Sequence, residues 1–243
     1  GISDEEFLAD VQSATTDWGM LIQATGGAIK QSKRFYYLLS WKFSKGVPML
    51  KPLTQLPSTP ITIPQTDGSA VSISHKDAGE SMVTLGVHTN CLNDPTDGLN
   101  HIKSTGLDWV DCLRARPLER RDTLLSLQCQ QYSKWSYGLS SLYATPEQLD
   151  ATAGSIYFQA LPFLGFNRNI TKEYRTIPRD FQGIGLRHWS IEKPSKDLSV
   201  LIRHWQSSTT LGKALQFLFE AFLMEVGLDG NVFSRPFSQF QHL

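Results

Sequence analysis

Apolar residues recur along the first segment at steps of three and four: Phe7, Leu8, Val11, Ala14, Trp18, Leu21 and Ile22. That spacing puts them on one stripe of an amphipathic helix. Ser3 with Glu6 three residues later is a capping-box signal at its start, and Gly26-Gly27 stops it. The run Phe35 to Phe43 predicts one strand rich in aromatics, followed by a loop holding Pro48, Pro52, Pro57 and Pro60. Ile61-Thr-Ile63 and Val71-Ser-Ile73 flank Thr66-Asp67-Gly68, a hairpin signal, and Met82 to Val87 reads as another short strand. Strand signals stop after about residue 92. Asp94-Pro95 opens a helix carrying Leu99, Ile102, Leu107, Trp109, Val110 and Leu113, with Gly106 as a point where it could break. Leu118 to Tyr137 predicts a second helix. Thr145-Pro146-Glu147-Gln148 starts a third that runs to about Leu161. A turn at Gln182-Gly-Ile-Gly185 and helices near 194–206 and 209–226 complete the pattern. The expected fold class is α+β, with a mixed part over 1–91 and an all-helical part over 92–243.

Composition narrows the picture without naming a function. The 243 residues include 23 basic and 23 acidic side chains, 40% hydrophobic and 19% charged residues, the balance of a chain with a packed core. No apolar stretch reaches the roughly 18 residues of a membrane span, because Glu220 and Glu225 interrupt the best one, so no membrane partner is expected. The N-terminus is acidic and carries no secretory pattern. Three cysteines, Cys91, Cys112 and Cys129, with no C-x-x-C spacing, argue against a disulfide framework or a structural zinc site, so a reducing, intracellular home is expected. The chain opens on a helix cap rather than on Met, and we expect a piece of something longer. Charge is uneven: residues 1–110 carry 8 basic and 11 acidic side chains, residues 111–243 carry 15 and 12. The segment 168–203 holds Arg168, Lys172, Arg175, Arg179, Arg187, Lys193, Lys196 and Arg203 against four acids. Such a segment is either a solvated mixed surface or a face for a phosphate backbone.

Motifs of self-contained catalysis are missing. None of the six histidines has H-E-x-x-H or other metal spacing, there is no G-x-S-x-G elbow, and Gly183-Ile-Gly185 is too short for a phosphate loop. Lone histidines such as His188 and His204 read as structural groups. Asp4-Glu5-Glu6 sits where acids favour a helix dipole.

One arrangement is more specific. Trp18-Gly19 is followed by Thr25-Gly26-Gly27-Ala28-Ile29-Lys30, Lys33 and the aromatic run Phe35 to Trp41; Val83-Thr84-Leu85-Gly86-Val87 and a helical bundle come later. Near the end stand Glu220 to Gly227 and Arg235-Pro-Phe-Ser-Gln239. In this order the chain resembles retroelement reverse transcriptases, RNA-directed DNA polymerases of mobile elements, in the region just after the metal-binding Y-x-D-D hairpin. It is most similar to the reverse-transcriptase-like proteins of algal and diatom genomes. The resemblance implies a partial palm over 1–91, a helix plus antiparallel primer-grip strands, and a helical thumb and following segment over 92–243. It implies that Lys33 lies near the triphosphate of the incoming nucleotide, where an ammonium can stabilise or protonate departing pyrophosphate. Thr84, Leu85 and Gly86 would match the primer-grip turn. Arg114, Arg116, Arg120, Arg121, Arg168, Lys172 and Arg175 would serve a thumb that tracks an RNA/DNA template–primer through phosphates. Gly183-Ile-Gly185-Leu186 matches only part of the segment that closes the thumb in long-interspersed-element relatives.

Each residue also has a plainer reading. Lys33 could be a helix-end cation, the aromatic run sheet core, and the arginines a solvated face. Nucleotide addition by such nucleotidyltransferases needs two Mg²⁺ ions held by palm carboxylates. No Y-x-D-D and no Asp-Asp dipeptide occurs here, so no cofactor is expected in this chain, while Mg²⁺ is expected for a complete polymerase. By itself the chain is expected to be inactive and to need the missing N-terminal fingers and palm of the same protein. The alternatives are a non-catalytic nucleic-acid-binding or protein-interaction module derived from a retroelement, and a helical interaction domain with no nucleic-acid role. Salt-dependent binding to an RNA–DNA hybrid separates the last from the others.

Overall fold

The computed structural model describes residues 3–27, 33–65, 68–205, 207–225 and 227–228. The expectations for Ala28-Ile29-Lys30, for Thr66-Asp67 and for Arg235 to Gln239 lie outside the described residues. The chain is mixed α+β and divides into two compact units, Gly1–His101 with Ser141–Tyr143, and Ile102–Ser140 with Ala144–Leu243.

In the first unit, α1 (Asp4–Ala24) begins as its sequence dictates. The Ser3 hydroxyl oxygen accepts from the Glu6 N–H at 3.2 Å, and the Glu6 carboxylate accepts from the Ser3 N–H at 3.0 Å. Gly26, at φ 75°, sits in the left-handed conformation that closes a helix C-terminus. The buried face differs from the predicted stripe: Leu8 and Gly19 are buried, whereas Phe7, Trp18 and Leu21 are exposed. The reason is the partner. The helix lies against the strand β4 (Thr62–Pro64), whose backbone needs polar company. The Gln12 amide oxygen accepts from the Thr62 N–H at 2.7 Å, and its nitrogen donates to the Thr62 carbonyl at 2.9 Å. The Gln23 amide donates to the Pro64 carbonyl. These side chains complete one edge of β4 as a neighbouring strand would. At Gly19 a Cβ would come within 2.7 Å of Ile63 Cγ2, so only glycine permits this approach.

The predicted strand Phe35 to Phe43 is broken in two. β1 (Phe35–Tyr37) pairs in parallel with β6 (Ser74–Lys76), whereas β2 (Trp41–Ser44) pairs antiparallel with β3 (Val47–Leu50). The segment between them turns Leu38 into a small core with Leu8 and Ile61. β2 and β3 form a hairpin, with Trp41 and Phe43 exposed rather than packed as sheet core. β4 pairs with β5 (Ala70–Ser72) in the predicted hairpin, Ile63 opposite Val71. The predicted strand at Met82 to Val87 is likewise a hairpin, β7 (Met82–Thr84) with β8 (Val87–Thr89), turning at Leu85-Gly86. Among the described residues no strand follows Thr89.

The second unit is helical. α2 (Thr96–Ala115), which begins in the first unit, stays continuous through Gly106. A Cβ there would lie 2.6 Å from Ile156 Cδ1, so the glycine is a close-approach point rather than a break. The predicted second helix is α3 (Arg120–Ser126), a π-helical turn (Leu127–Gln131) and α4 (Tyr132–Leu139) in succession. α5 (Pro146–Ala160) starts on the predicted Thr145–Gln148 capping box, with hydrogen bonds of 2.9 and 3.3 Å. α6 (Lys172–Thr176), α7 (Trp189–His204) and α8 (Thr210–Glu225) follow. Val110, Leu113, Leu127, Leu149, Ile156, Leu161 and Ile184 are buried in the core. Beside them Tyr132, Trp135, Tyr157 and Trp189 form an aromatic cluster, with contacting ring centroids 5.2 to 6.4 Å apart.

Candidate functional site

Two segments of the first unit hold the residues expected to carry chemistry. Lys33 is exposed just before β1. Thr84, Leu85 and Gly86 form the tip of the β7–β8 hairpin. Leu85 has φ 51° and Gly86 φ 82°, the type I′ pair of left-handed residues that suits a two-residue hairpin loop. Asn, Asp or Gly fits the first of these positions without strain, but leucine costs about 1 to 2 kcal/mol there. That leucine is also 85% exposed, so burial does not offset the strain. The β2–β3 hairpin uses the same turn at Lys45 and Gly46, φ 51° and 80°.

In the second unit the basic residues separate into those the fold uses and those it leaves in solvent. Arg114 pairs with Asp111 and donates to Gln159 at 2.6 Å. Arg168 lies over the Phe158 ring, 5.6 Å from its centroid. Arg175 caps the loop before α6: its Nε donates to the Ile170 carbonyl at 3.0 Å and its Nη2 to the Arg168 carbonyl at 3.1 Å. Lys172 pairs with Asp150 at 2.6 Å. Arg116, Arg120 and Arg121 are exposed where α2 gives way to α3 and form no ion pair among the described residues, although the Arg120 side chain lies against Gly165, where a Cβ would come within 2.4 Å of its Nε. Gly183 and Gly185 shape a turn in which Arg179 Nε donates to the Ile184 carbonyl at 3.2 Å, burying Ile184 and Leu186.

Lys172 and Arg175 also meet in a place their sequence positions do not reveal. A hollow of about 90 Å³ is lined by Asp150, Ala153, Gly154 and Tyr157 of α5, Lys172, Arg175 and Thr176 of α6, and Arg187, His188 and Trp189 at the start of α7. The aromatic cluster builds its base. Trp189 Nε1 donates to the Tyr157 hydroxyl at 3.2 Å, which donates to the Arg187 carbonyl at 3.0 Å. The Arg187 N–H donates to the Tyr132 hydroxyl at 3.2 Å, and the Arg187 guanidinium stacks on the Tyr132 ring, 4.6 Å from its centroid. Arg187 Nη1 reaches Glu192 at 2.6 Å. Burial raises the pKa of the Tyr132 phenol and pushes that of Tyr157 further up, with the nearby Tyr132 adding to the second, so both keep their protons.

A shallower depression of about 310 Å³ continues from the hollow, sharing Lys172, Thr176 and His188 and adding Glu173 and Ile177. His188 Nδ1 lies 2.6 Å from Ser190 Oγ and 3.6 Å from Asp150 Oδ1. Hydroxyl and carboxylate meet the same ring nitrogen, so the three residues do not make a nucleophile–base–acid relay. Asp150, Tyr157, Arg187, His188 and Trp189 escape a sequence reading because they converge from separate elements. The one hint is the basic surplus of 168–203.

Among the described residues no group of three or more His, Cys, Asp or Glu side chains could hold a metal ion, and no helix is long and apolar enough to cross a membrane. No protein-family model, no curated protein and no solved structure matches the chain.

Proposed function

We propose that this chain handles the template–primer duplex within an RNA-directed DNA polymerase of a mobile element, the first unit as the rear of a palm and the second as a thumb. The observation that carries the reading is the trio Arg116, Arg120 and Arg121, exposed at one corner without ion-pair partners among the described residues. Exposed guanidinium groups at a helix junction, with Arg120 held in place against Gly165, suit phosphate contacts, which position a duplex without reading its sequence. The exposed tip of the β7–β8 hairpin supports the primer-grip role of Thr84-Leu85-Gly86, since Gly86 at φ 82° lets the turn present its backbone outward. The exposed Phe7, Trp18 and Leu21 of α1 support a further palm as covering partner. Lys33 would act only beside the carboxylates of that palm, with Mg²⁺ supplied there.

Binding of a short RNA–DNA hybrid at several salt concentrations tests the reading. The expected result is an affinity that falls with salt. In the R116Q/R120Q/R121Q variant the logarithmic slope becomes shallower by about 0.9 per lost phosphate contact, roughly two to three in all. Equal affinity of variant and wild type rejects the thumb role. An in-frame Y-x-D-D hairpin upstream of Gly1 is expected in the genomic sequence; an upstream coding sequence without it makes the chain a non-catalytic binding module.

A further inference from the structure

α8 is apolar around most of its circumference, and this bears on assembly rather than on duplex contacts. One side of it folds back on the end of α7. Gly212 is buried there, and a Cβ on it would lie 2.2 Å from the Ser207 carbonyl oxygen. The Gln216 amide donates to the Trp205 carbonyl at 2.8 Å, and the Phe219 ring meets that of Trp205 edge-on at 4.7 Å. At about 100° per residue, the opposite side runs through Leu211, Ala214, Phe217, Leu218, Ala221 and Met224. Phe217 is 69% exposed, Leu218 62% and Met224 75%. A helix that is apolar on both sides is one that is covered on both.

The pattern along this outer face says what covers it. In two antiparallel copies related by a two-fold axis, residue i faces residue j of the other copy and j faces i. With the axis at the height of residue 216, the face is its own complement. Leu211 meets Ala221 of the second copy and Leu218 meets its Ala214, large side chains against small ones. The two Phe217 rings come together near the axis. Along one edge Lys213 stands opposite Glu220 of the second copy, and symmetry repeats the pair. Neither residue forms an ion pair among the described residues. Within one chain they lie seven positions apart, roughly 10 Å along the helix, too far to pair with each other. Glu225 reaches the first turn of the opposing helix, where unpaired N–H groups favour a carboxylate.

From this self-complementarity we propose that the chain forms a homodimer through antiparallel α8 helices. Leu211 and Leu218 of each copy seat against Ala221 and Ala214 of the other, and two Lys213–Glu220 pairs set the register. A single pair of helices about 24 Å long is a small interface, so the dimer is weak and depends on concentration.

Sedimentation equilibrium of the full chain over about 1 to 300 µM tests the proposal. Reducing agent is present because Cys112 and Cys129 are exposed. The weight-average mass is expected to rise from the 27.3 kDa of one chain toward twice that value. K213E and E220K, both at exposed positions, each set like charges opposite one another twice and should weaken association about fivefold or more. An equal mixture of the two variants restores opposite charges at both contacts and should associate nearly as wild type does. L218E should leave only monomer. A full chain that stays monomeric throughout overturns the proposal, whether its own residues 229–243 or another protein covers the face. A dimer that L218E leaves intact overturns it too, as does a mixture of K213E and E220K that associates no better than either alone.

Discussion

Asp4 shows how a single carboxylate ties the start of α1 to the loops around it. The Ser40 hydroxyl donates to it at 2.8 Å and the Lys51 ammonium at 2.7 Å. The Lys51 hydrogen bond, then that of Ser40, holds its pKa below the ordinary 3.8, outweighing partial burial. A carboxyl with a depressed folded-state pKa stabilises the fold fully above its unfolded value and loses that contribution as pH falls through the folded value. D4N should therefore melt below wild type at neutral pH, with the gap closing once the pH drops below 3.8, as thermal unfolding across pH will show. Wild-type and variant curves that stay parallel to the lowest pH would refute the linkage. Leu85 is the other instructive position. L85N places at φ 51° a residue that tolerates the left-handed region, and should stabilise the chain by about 0.5 to 1 kcal/mol in denaturant titration. If the tip grips a primer, the same variant should also bind the hybrid less tightly.

At the scale of elements, two glycines in facing helices make opposite predictions. G106A gains helix propensity worth about 1 kcal/mol but drives a methyl to within 2.6 Å of Ile156 Cδ1, on a fully buried side chain. Overpacking of this kind costs about 1 to 3 kcal/mol, so a net loss of about 1 kcal/mol is expected. G154A meets no neighbour and should gain about 0.5 to 1 kcal/mol. Equal and same-signed changes in their chemical-denaturation midpoints would show that α2 and α5 do not approach as described. Helix starts were legible in the sequence because capping is local: the Ser3–Glu6 and Thr145–Gln148 boxes close within four residues. The break of Phe35–Phe43 into β1 and β2 was not legible. Nothing inside that aromatic run marks it, since it arises from β1 pairing with β6 and β2 with β3.

For the whole molecule, neutral net charge makes salt dependence the sensitive readout of any basic face, and the R116Q/R120Q/R121Q comparison is the one that bears on function. Of the seven basic residues of the helical unit read as nucleic-acid contacts, Arg114, Arg168, Lys172 and Arg175 turn out to be engaged with an aspartate, a ring, another aspartate and backbone carbonyls. Side-chain type alone cannot separate a phosphate-seeking arginine from one that caps a loop, because both are guanidinium groups with the same five donors. The sequence by itself determined what short-range chemistry determines: the α+β character, the helix caps, the glycine turn at 182–185 and the onset of the helical region. Only the tertiary structure decided which face of α1 is buried. Gln12 and Gln23 complete the backbone hydrogen bonds of β4, so a polar face turns inward while Phe7, Trp18 and Leu21 remain outside. It also decided that Asp150, Gly154, Lys172, Arg187 and His188, spread over about 40 residues, line one hollow. Apolar periodicity records that a surface is buried, but which side chains share a cavity depends on how separate helices pack, a relation no local pattern encodes.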